Sequence, residues 1–566
     1  MRILSRWAFP VLLLFVSSTI AQGAADPLEA IPDSAGVVVR MKSPKATLAR
    51  IADFAGKADP AWKAFLDQGS ERLGLMIYNQ SLAGVDAKGD WWVAVFPQTG
   101  GEPGIVFAVP VTDAEAAKKE TGTSYQYVKH ENWLLYTDHS ETFQAVEKRT
   151  KGEGKSIVAT IDRTSRGLIE GADIAAFVNV KQLRETYRAD IDSAKESIEA
   201  ALKQGQNAQP APAGINPAAV TAVYSDMVQH ALQVLDDTEG YAVAGRVGDR
   251  GVDIEQFAKF TTGSSTDKFL QSNPPSELAA VGKLPTDQLV YYGLHADMKS
   301  MVDWGTKLTT SMFSDATPEM KAALQSITEE MSKLKLGDTV GSMNVGSSSE
   351  GILRYATYVQ VDQPDKMREL YRKSTESMAK LSVGPIKQEI KIQQDAEKYG
   401  DRSADVMTLK QEVDPMNDPL GMQKKMLDTM YGPNGMVTRI VILKDAVVQS
   451  FGGGKEAMET LLKAVEASTP PADSRKPVRD HLSKQANVLL LIDLPGLAAS
   501  FIGTGSLPIP VDAEAIKKAV AMRSYFGTTI VAEPQAVRAK SHFPLEQLKG
   551  IAQLVKVFQG AMGGPM

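Results

Sequence analysis

Short apolar runs separated by polar turn residues recur along the chain, and their order predicts the secondary structure. The run Gly36-Val37-Val38-Val39 predicts a first strand, and the next segment has apolar residues at helical spacing. Trp91–Phe96 and Ile105–Val109 flank a Gly-rich turn, which predicts a hairpin. Further apolar pairs around Gly248–Gly251 and Gly346–Gly351 repeat the hairpin and the helix that follows it. Antiparallel hairpins followed by helices indicate an α+β class, with mainly antiparallel sheets and helices packed on one face.

The same order of elements is found twice. Leu284-Pro285 lies 253 residues after Ile31-Pro32, and each pair precedes a short apolar strand. The segment 487–494 matches 173–180 residue class by residue class, 314 residues later. Agreement of the whole order predicts a duplicated fold. The predicted boundaries are 28–275 for the first α+β half and 283–560 for the second.

Two insertions distinguish the predicted halves. Gly205–Pro217 is rich in Gln, Ala, Pro and Gly inside a helical region, so it predicts a flexible loop between two helices. In the second half, Ile386–Val413 predicts additional polar strands.

The first residues have the pattern of an export signal. Arg2 and Arg6 precede the apolar segment Ala8–Val16, and small residues end at Ala21, which predicts a signal peptide over residues 1–21. No later stretch reaches the roughly 18 to 20 apolar residues of a bilayer span, so we expect no transmembrane segment. The expected product is a soluble exported protein, either periplasmic or extracellular.

Composition excludes several functions. The chain has no cysteine, which excludes disulfides and thiolate metal sites. Its net charge of −6 argues against a nucleic-acid partner, because such a protein needs concentrated Lys and Arg to displace counterions from phosphate.

Gly452-Gly453-Gly454-Lys455 is the one segment that invites a phosphate-loop interpretation, because a Gly-rich turn before a helix presents free N–H groups. A full phosphate loop requires Ser or Thr after the lysine and a glycine where Gln449 stands. We therefore predict a simple turn from a hairpin into a helix.

Met422, Met426 and Met430 recur every four residues, and thioethers suit Cu(I). Packing of the methionines against a sheet is the favoured interpretation, which predicts that they are buried. The chain's histidines are scattered and form no paired-ligand spacing, so we expect no metal site and no cofactor. They are His130, His139, His230, His295, His481 and His542.

Hydrolase and sugar-binding patterns are also weak. The G-x-S-x-G turn of serine hydrolases is absent, and Ser347-Ser348-Ser349 is predicted to be a hairpin turn. Acidic pairs such as Asp236-Asp237 leave a carboxylate dyad open. Trp91 and Trp92 are predicted to point to opposite faces of one strand, which favours packing over a ligand platform.

These elements together resemble a family of uncharacterised exported bacterial proteins classed as a domain of unknown function. The resemblance rests on the Ile/Leu-Pro opening, the short strand, the capped helix and the later strand pair that closes on a Gly- or Ser-led helix. It spans both predicted halves in order and implies an exported α+β fold. It transfers no catalytic residue.

Two functions remain open at this point. One is a non-catalytic binding or envelope-scaffold protein, whose partner would be an unknown protein or envelope component. The alternative is an extracytoplasmic hydrolase that uses carboxylates assembled by the fold. The sequence assigns no catalytic or ligand-binding residue to either function.

We predict cleavage of the chain near Ala21, because the small residues there follow the apolar segment. Intact-mass measurement of exported material checks this. A full-length product retained in the cytoplasm would contradict it.

Overall fold

The computed structural model describes residues 26–206, 217–297, 318–378, 387–412, 418, 420–467, 474–504, 513–520 and 522–562. The predicted signal peptide and the center of the predicted 205–217 loop lie outside these residues. The helices are α1 Pro44–Ala58, α2 Pro60–Ser70, α3 Ala114–Thr121, α4 Ser140–Thr150, α5 Arg163–Gly171, α6 Val180–Thr186, α7 Arg188–Gln206, α8 Pro217–Asp237, α9 Ser265–Gln271, α10 Pro318–Met331, α11 Pro364–Met378, α12 Met422–Tyr431, α13 Gly454–Glu466, α14 Lys476–Arg479, α15 Leu494–Gly503, α16 Ala513–Ala519 and α17 Leu545–Met562.

The chain folds into two compact units. The first contains residues up to Ala194 together with Gln233–Gln271 and Glu533–Ala552. The second contains Lys195–Leu232, Ser272–Ala532 and the residues from Gln553. The last strand of the chain, Ala536–Pro544, therefore belongs to the first unit. The predicted halves 28–275 and 283–560 stay a prediction.

The first unit contains an antiparallel sheet built around a short central strand. Its order is β4-β5-β3-β2-β1-β6-β7-β8-β18. The strands are β1 Val37–Met41, β2 Trp91–Phe96, β3 Gly104–Pro110, β4 Gln126–His130, β5 Trp133–Thr137, β6 Ile174–Val178, β7 Thr238–Val247, β8 Gly251–Phe260 and β18 Ala536–Pro544.

The second unit contains an antiparallel sheet of the same plan with an added hairpin. Its order is β12-β13-β14-β15-β11-β10-β9-β16-β17. The strands are β9 Val290–Leu294, β10 Leu336–Val345, β11 Leu353–Val361, β12 Lys387–Tyr399, β13 Arg402–Glu412, β14 Met436–Ile442, β15 Ala446–Phe451, β16 Val488–Ile492 and β17 Phe526–Glu533. The added hairpin β12–β13 is the polar insertion predicted at 386–413.

Strand register identifies equivalent positions in the two sheets. Met41 of β1 pairs with Ile174 of β6, and Leu294 of β9 pairs with Val488 of β16. Leu294 follows Met41 by 253 residues and Val488 follows Ile174 by 314, the spacings found in the sequence. The α+β class with duplicated antiparallel sheets is therefore confirmed.

Each sheet packs its main core against helices. In the first unit, Val38, Trp92 and Phe177 share a buried cluster with Val146 of α4 and Leu168 of α5. In the second, the cluster contains the fully buried side chains of Met458 and Leu461 on α13, together with Tyr291, Tyr358 and Leu489 from the strands. Among the described residues, no helix has the length and apolar character needed to span a bilayer.

The predicted burial of the methionine series is wrong for two of its members. Met422 and Met426 are 68% and 55% exposed, and only Met430 packs against a buried cluster. Helix α12 is a short surface helix whose first half is exposed and whose second half is partly buried, so the four-residue spacing does not mark a buried face.

We predict that Met458→Ala destabilises the protein by about 2 to 5 kcal/mol, because it opens a cavity in a closed core. Met426→Ala is the matched control and should change stability by less than about 0.5 kcal/mol, since that side chain is mostly in solvent. Urea unfolding of both variants measures the difference. Equal midpoints would contradict the prediction.

Candidate functional site

The Gly-rich turn before α13 binds a carboxylate of the protein itself. Gly452, Gly453 and Gly454 all have positive φ angles and lead from β15 into the helix, which confirms the predicted turn. The backbone N–H of Gly454 donates to Oε2 of Glu350 at 2.9 Å. The helix N-terminus therefore already holds an anion, which removes the reason to assign a phosphate there.

Glu350 belongs to a buried charge network of the second unit. Arg439 donates to both of its carboxylate oxygens, at 2.9 and 2.7 Å, and also to Oε2 of Glu397 at 3.0 Å. Burial favours the neutral form of Glu397, but hydrogen bonds from Tyr399 and Arg439 outweigh it and lower the pKa of Glu397. Both carboxylates are bonded to Arg439, and Glu350 also accepts from the N-terminus of α13, so the role of the network is structural.

A second carboxylate in this unit is also neutralised by arginine. Asp405 is 1% exposed as a side chain and accepts hydrogen bonds from Arg368 and Arg372 of α11. Burial would raise the pKa of Asp405, but the two guanidinium groups and the Asp395 amide hold it well below its usual range. It stays ionised and paired, so it is not available as a catalytic acid.

The other polar candidates of the sequence are also structural. Asp237 of the predicted acidic pair accepts from the hydroxyl and the backbone N–H of Thr266, and so caps α9. The 347–349 serines lie in the turn between β10 and β11, as predicted. Trp91 and Trp92 are 4% and 8% exposed and belong to different buried clusters, which confirms that they face opposite ways and fill cores.

One histidine of the second unit lines a cavity of about 430 Å³. Nδ1 of His295 lies 3.0 Å from Oδ1 of Asp338, which also accepts from the hydroxyl of Ser276 at 2.7 Å. A carboxylate in this position orients the imidazole and fixes its tautomer. A polar ligand in the cavity can donate a hydrogen bond to the His295–Asp338 pair. The cavity wall includes Ser272, Pro274, Asp297, Lys335 and Leu336.

An exposed apolar surface of the first unit lies on the one-turn 3₁₀ helix Leu73–Ile77 and the residue after it. We call Leu73–Tyr78 the apolar turn. Leu75, Met76 and Tyr78 are 52%, 54% and 56% exposed, whereas Leu73 and Ile77 are buried beneath them. Large apolar side chains concentrated on one exposed turn are unusual on a protein surface unless they meet a partner.

Buried polar groups hold the apolar turn in place. Tyr136 donates its hydroxyl to the carbonyl of Ile77 at 2.6 Å, and Asn79 exchanges two side-chain hydrogen bonds of 2.9 Å with the backbone of Ala83. A Cβ on Gly74 would lie 2.2 Å from the carbonyl oxygen of Asn79, so only glycine allows this close approach. The turn is therefore a fixed feature of the fold.

Aromatic packing continues this surface into the core. The ring of Tyr78 lies 5.7 Å from that of Phe107 and 5.4 Å from that of Tyr125, and Phe107 stacks on Tyr136 at 5.3 Å. Burial raises the pKa of both Tyr125 and Tyr136, which keeps these phenols neutral. The exposed side chains thus rest on a rigid uncharged base.

Sequence reasoning did not identify the apolar turn. Its residues, Leu73-Gly74-Leu75-Met76-Ile77-Tyr78, form a continuous apolar run that does not alternate and is too short for a helix of ordinary length. That run, with Arg72 before it and Asn79 after it, was the available signal. Which of its side chains point outward depends on contacts with β3 and β5.

The fold and these contacts define an α+β protein with duplicated antiparallel sheets, paired structural charges and one exposed apolar turn. No family model matches the chain, and no curated protein matches it. Two crystal structures of the Treponema pallidum protein TP0453 are similar to it. Crystal form III is 10% identical with a TM-score of 0.20, covering 48% of this chain and 97% of that one, and crystal form IV is 11% identical with a TM-score of 0.21, covering 50% and 98%. At these TM-scores the similarity carries no functional argument, so function is argued from the chain itself.

We predict that Glu350→Gln lowers the free energy of unfolding by about 2 to 3 kcal/mol, because the 5% exposed Arg439 loses a charged, two-oxygen acceptor. Glu466→Gln is the control. Its side chain is 53% exposed in an ion pair with Arg402, so the change should be under about 0.5 kcal/mol. Chemical denaturation measures both, and an unaffected Glu350→Gln protein would show that the network is not structural.

Proposed function

We propose that this chain is an exported, non-catalytic binding protein that docks a partner protein through the apolar turn Leu73–Tyr78. The observation that carries the proposal is the exposure of Leu75, Met76 and Tyr78 on a turn whose backbone is held by buried hydrogen bonds. Export is supported by the sequence pattern of residues 1–21.

Rigidity supports binding because a preorganised surface loses little conformational entropy when a partner is bound. Tyrosine and methionine are also enriched at the centers of protein interfaces, where they supply contact area and adapt to the opposing surface. The apolar turn combines both features.

The size of the surface determines the kind of partner. A stable symmetric dimer buries about 800 Å² on each subunit, and a single turn with three large exposed side chains supplies only part of that area. A convex turn fits best into a groove on a different protein. We therefore assign a partner protein with a concave apolar groove as the occupant.

The hydrolase alternative has less support. Its carboxylates would have to face an open site with perturbed proton affinity. Glu350, Glu397 and Asp405 are instead bound to arginines at strand and turn positions.

We predict that a photo-crosslinking amino acid at Met76 captures one partner protein in cells that export the chain. Capture should be lost when Leu75→Ser and Tyr78→Ser are added, while the fold, followed by circular dichroism, is retained. Met426, with nearly equal exposure, carries the crosslinker in the control and should give no such product.

Three outcomes would contradict the proposal. The first is identical products from the Met76 and Met426 positions. The second is a crosslink between two copies of this chain, accompanied by a dimer in analytical ultracentrifugation. The third is binding to phospholipid vesicles that requires Met76, which would assign the turn to a lipid surface instead of a protein.

A further inference from the structure

Asp173 is a fully buried residue whose two carboxyl oxygens make no hydrogen bond of ordinary geometry. The backbone N–H of Val247 on β7 favours its ionised form, but less than the nearby cations do. It lies immediately before β6, where its backbone N–H donates to Gly245 of β7 at 3.0 Å and its carbonyl accepts from Lys42 at 2.8 Å. The backbone is thus fixed on both sides. A buried polar group left unpaired is costly, and such a group in a native protein calls for a physical explanation.

The charged groups that bear on Asp173 come from three elements. They are Lys42 at the end of β1, Arg50 of α1 and Arg246 of β7. Arg246 donates Nε to the carbonyl of Gly171 at 2.7 Å, so it is anchored to the backbone just before Asp173. These cations favour the carboxylate, but burial outweighs them and raises the pKa of Asp173 to about 6.

Further charged residues lie around Lys42 and on α5, close to Asp173 in the sequence or in the fold. Burial and the nearby Arg40 lower the pKa of Lys42, while Asp90, which pairs with Arg40, opposes that change. On α5, Glu170 pairs with Arg166. These neighbours leave Asp173 with cations nearby, but no side chain donates a hydrogen bond of ordinary geometry to its carboxyl oxygens.

The second unit has the neutral amide at the same position. Asn487 precedes β16 as Asp173 precedes β6, donates its backbone N–H to Ile530 of β17 and accepts from the N–H of His295. Its side-chain amide donates to the carbonyl of Asn273 at 2.8 Å and accepts from the N–H of Ala532 at 2.7 Å. The Asn487 side chain thus both donates and accepts hydrogen bonds, whereas the equivalent carboxyl oxygens of Asp173 make none of ordinary geometry.

We propose that Asp173 is a proton-operated latch of the first unit. Protonated, the carboxyl is neutral and the junction of β1, β6, β7 and α1 stays closed over it. Ionised, the carboxylate requires water or a cation, and the junction opens locally toward Lys42, Arg50 and Arg246. The latch makes the first unit tighter in mildly acidic surroundings than at neutral pH.

The direction of the pH effect follows from linkage. The pKa of Asp173 is raised from 3.8 in the unfolded chain to about 6 in the folded one, so the folded state holds the proton more tightly. Its contribution to stability is complete below about pH 4 and is lost as the pH rises through 6.

Asp173→Asn removes the titration and keeps the shape. We expect its unfolding equilibrium constant to match that of the wild type at pH 4 and to be about 100-fold smaller at pH 8, since two pKa units correspond to that factor. Asp237→Asn is the control with the opposite sign: hydrogen bonds from Thr266 and Ser265 outweigh burial and lower the pKa of Asp237, so this variant should be less stable than the wild type at pH 8.

Hydrogen exchange of the wild-type protein tests the latch without a variant. After correction for intrinsic rates, the amides of Lys42 and Asp173 should exchange faster above pH 6 than below it, while those of Leu489 and Leu491 in β16 of the second unit should not change. Carboxyl NMR that places the Asp173 titration at or below pH 4 would overturn the proposal. So would an Asp173→Asn protein whose stability relative to the wild type is the same at pH 4 and pH 8.

Discussion

Each unit depends on a short central strand whose backbone is hydrogen-bonded on both edges. β1 lies between β2 and β6, and β9 lies between β10 and β16. A buried strand has no access to water, so both of its neighbours must supply partners for every N–H and C=O group. This requirement positions the flanking strands and the helices that cover them. It also brings residues far apart in sequence, such as those before β6 and after β1, to one end of the sheet.

Buried arginines in both units are paired with carboxylates or with backbone carbonyl groups. Arg40 donates to Asp90 and to backbone carbonyls near the end of α5, and Arg439 joins two glutamates beside the Gly-rich turn. In these cases charge is matched by charge or by carbonyl dipoles. Asp173 departs from the rule within the same unit as Arg40. Its carboxyl oxygens make no hydrogen bond of ordinary geometry, and burial raises its pKa although cations lie nearby.

The apolar turn and the buried carboxyl give the first unit two different kinds of feature. The turn is exposed and rigid, which suits contact with another protein. Asp173 is enclosed and chemically variable, which suits a response to pH. The two features share no residue, so an experiment that contradicts the docking proposal does not contradict the pH response of Asp173.

Sequence patterns predicted the α+β class, the repeated order of strands and the added hairpin, because alternation, turn residues and repeat spacing can be read along the chain. The offsets of 253 and 314 residues reappear in the strand register for the same reason. Side-chain exposure, by contrast, depends on which elements pack together in the folded protein. The spacing of Met422 and Met426 favoured burial, but only the second half of α12 packs against the protein, which leaves these two side chains in solvent. The apolar run around Met76 did not predict which of its side chains are exposed. The residues beside Asp173 in the sequence do not distinguish it from a surface aspartate, because burial depends on strands and helices that come together only on folding.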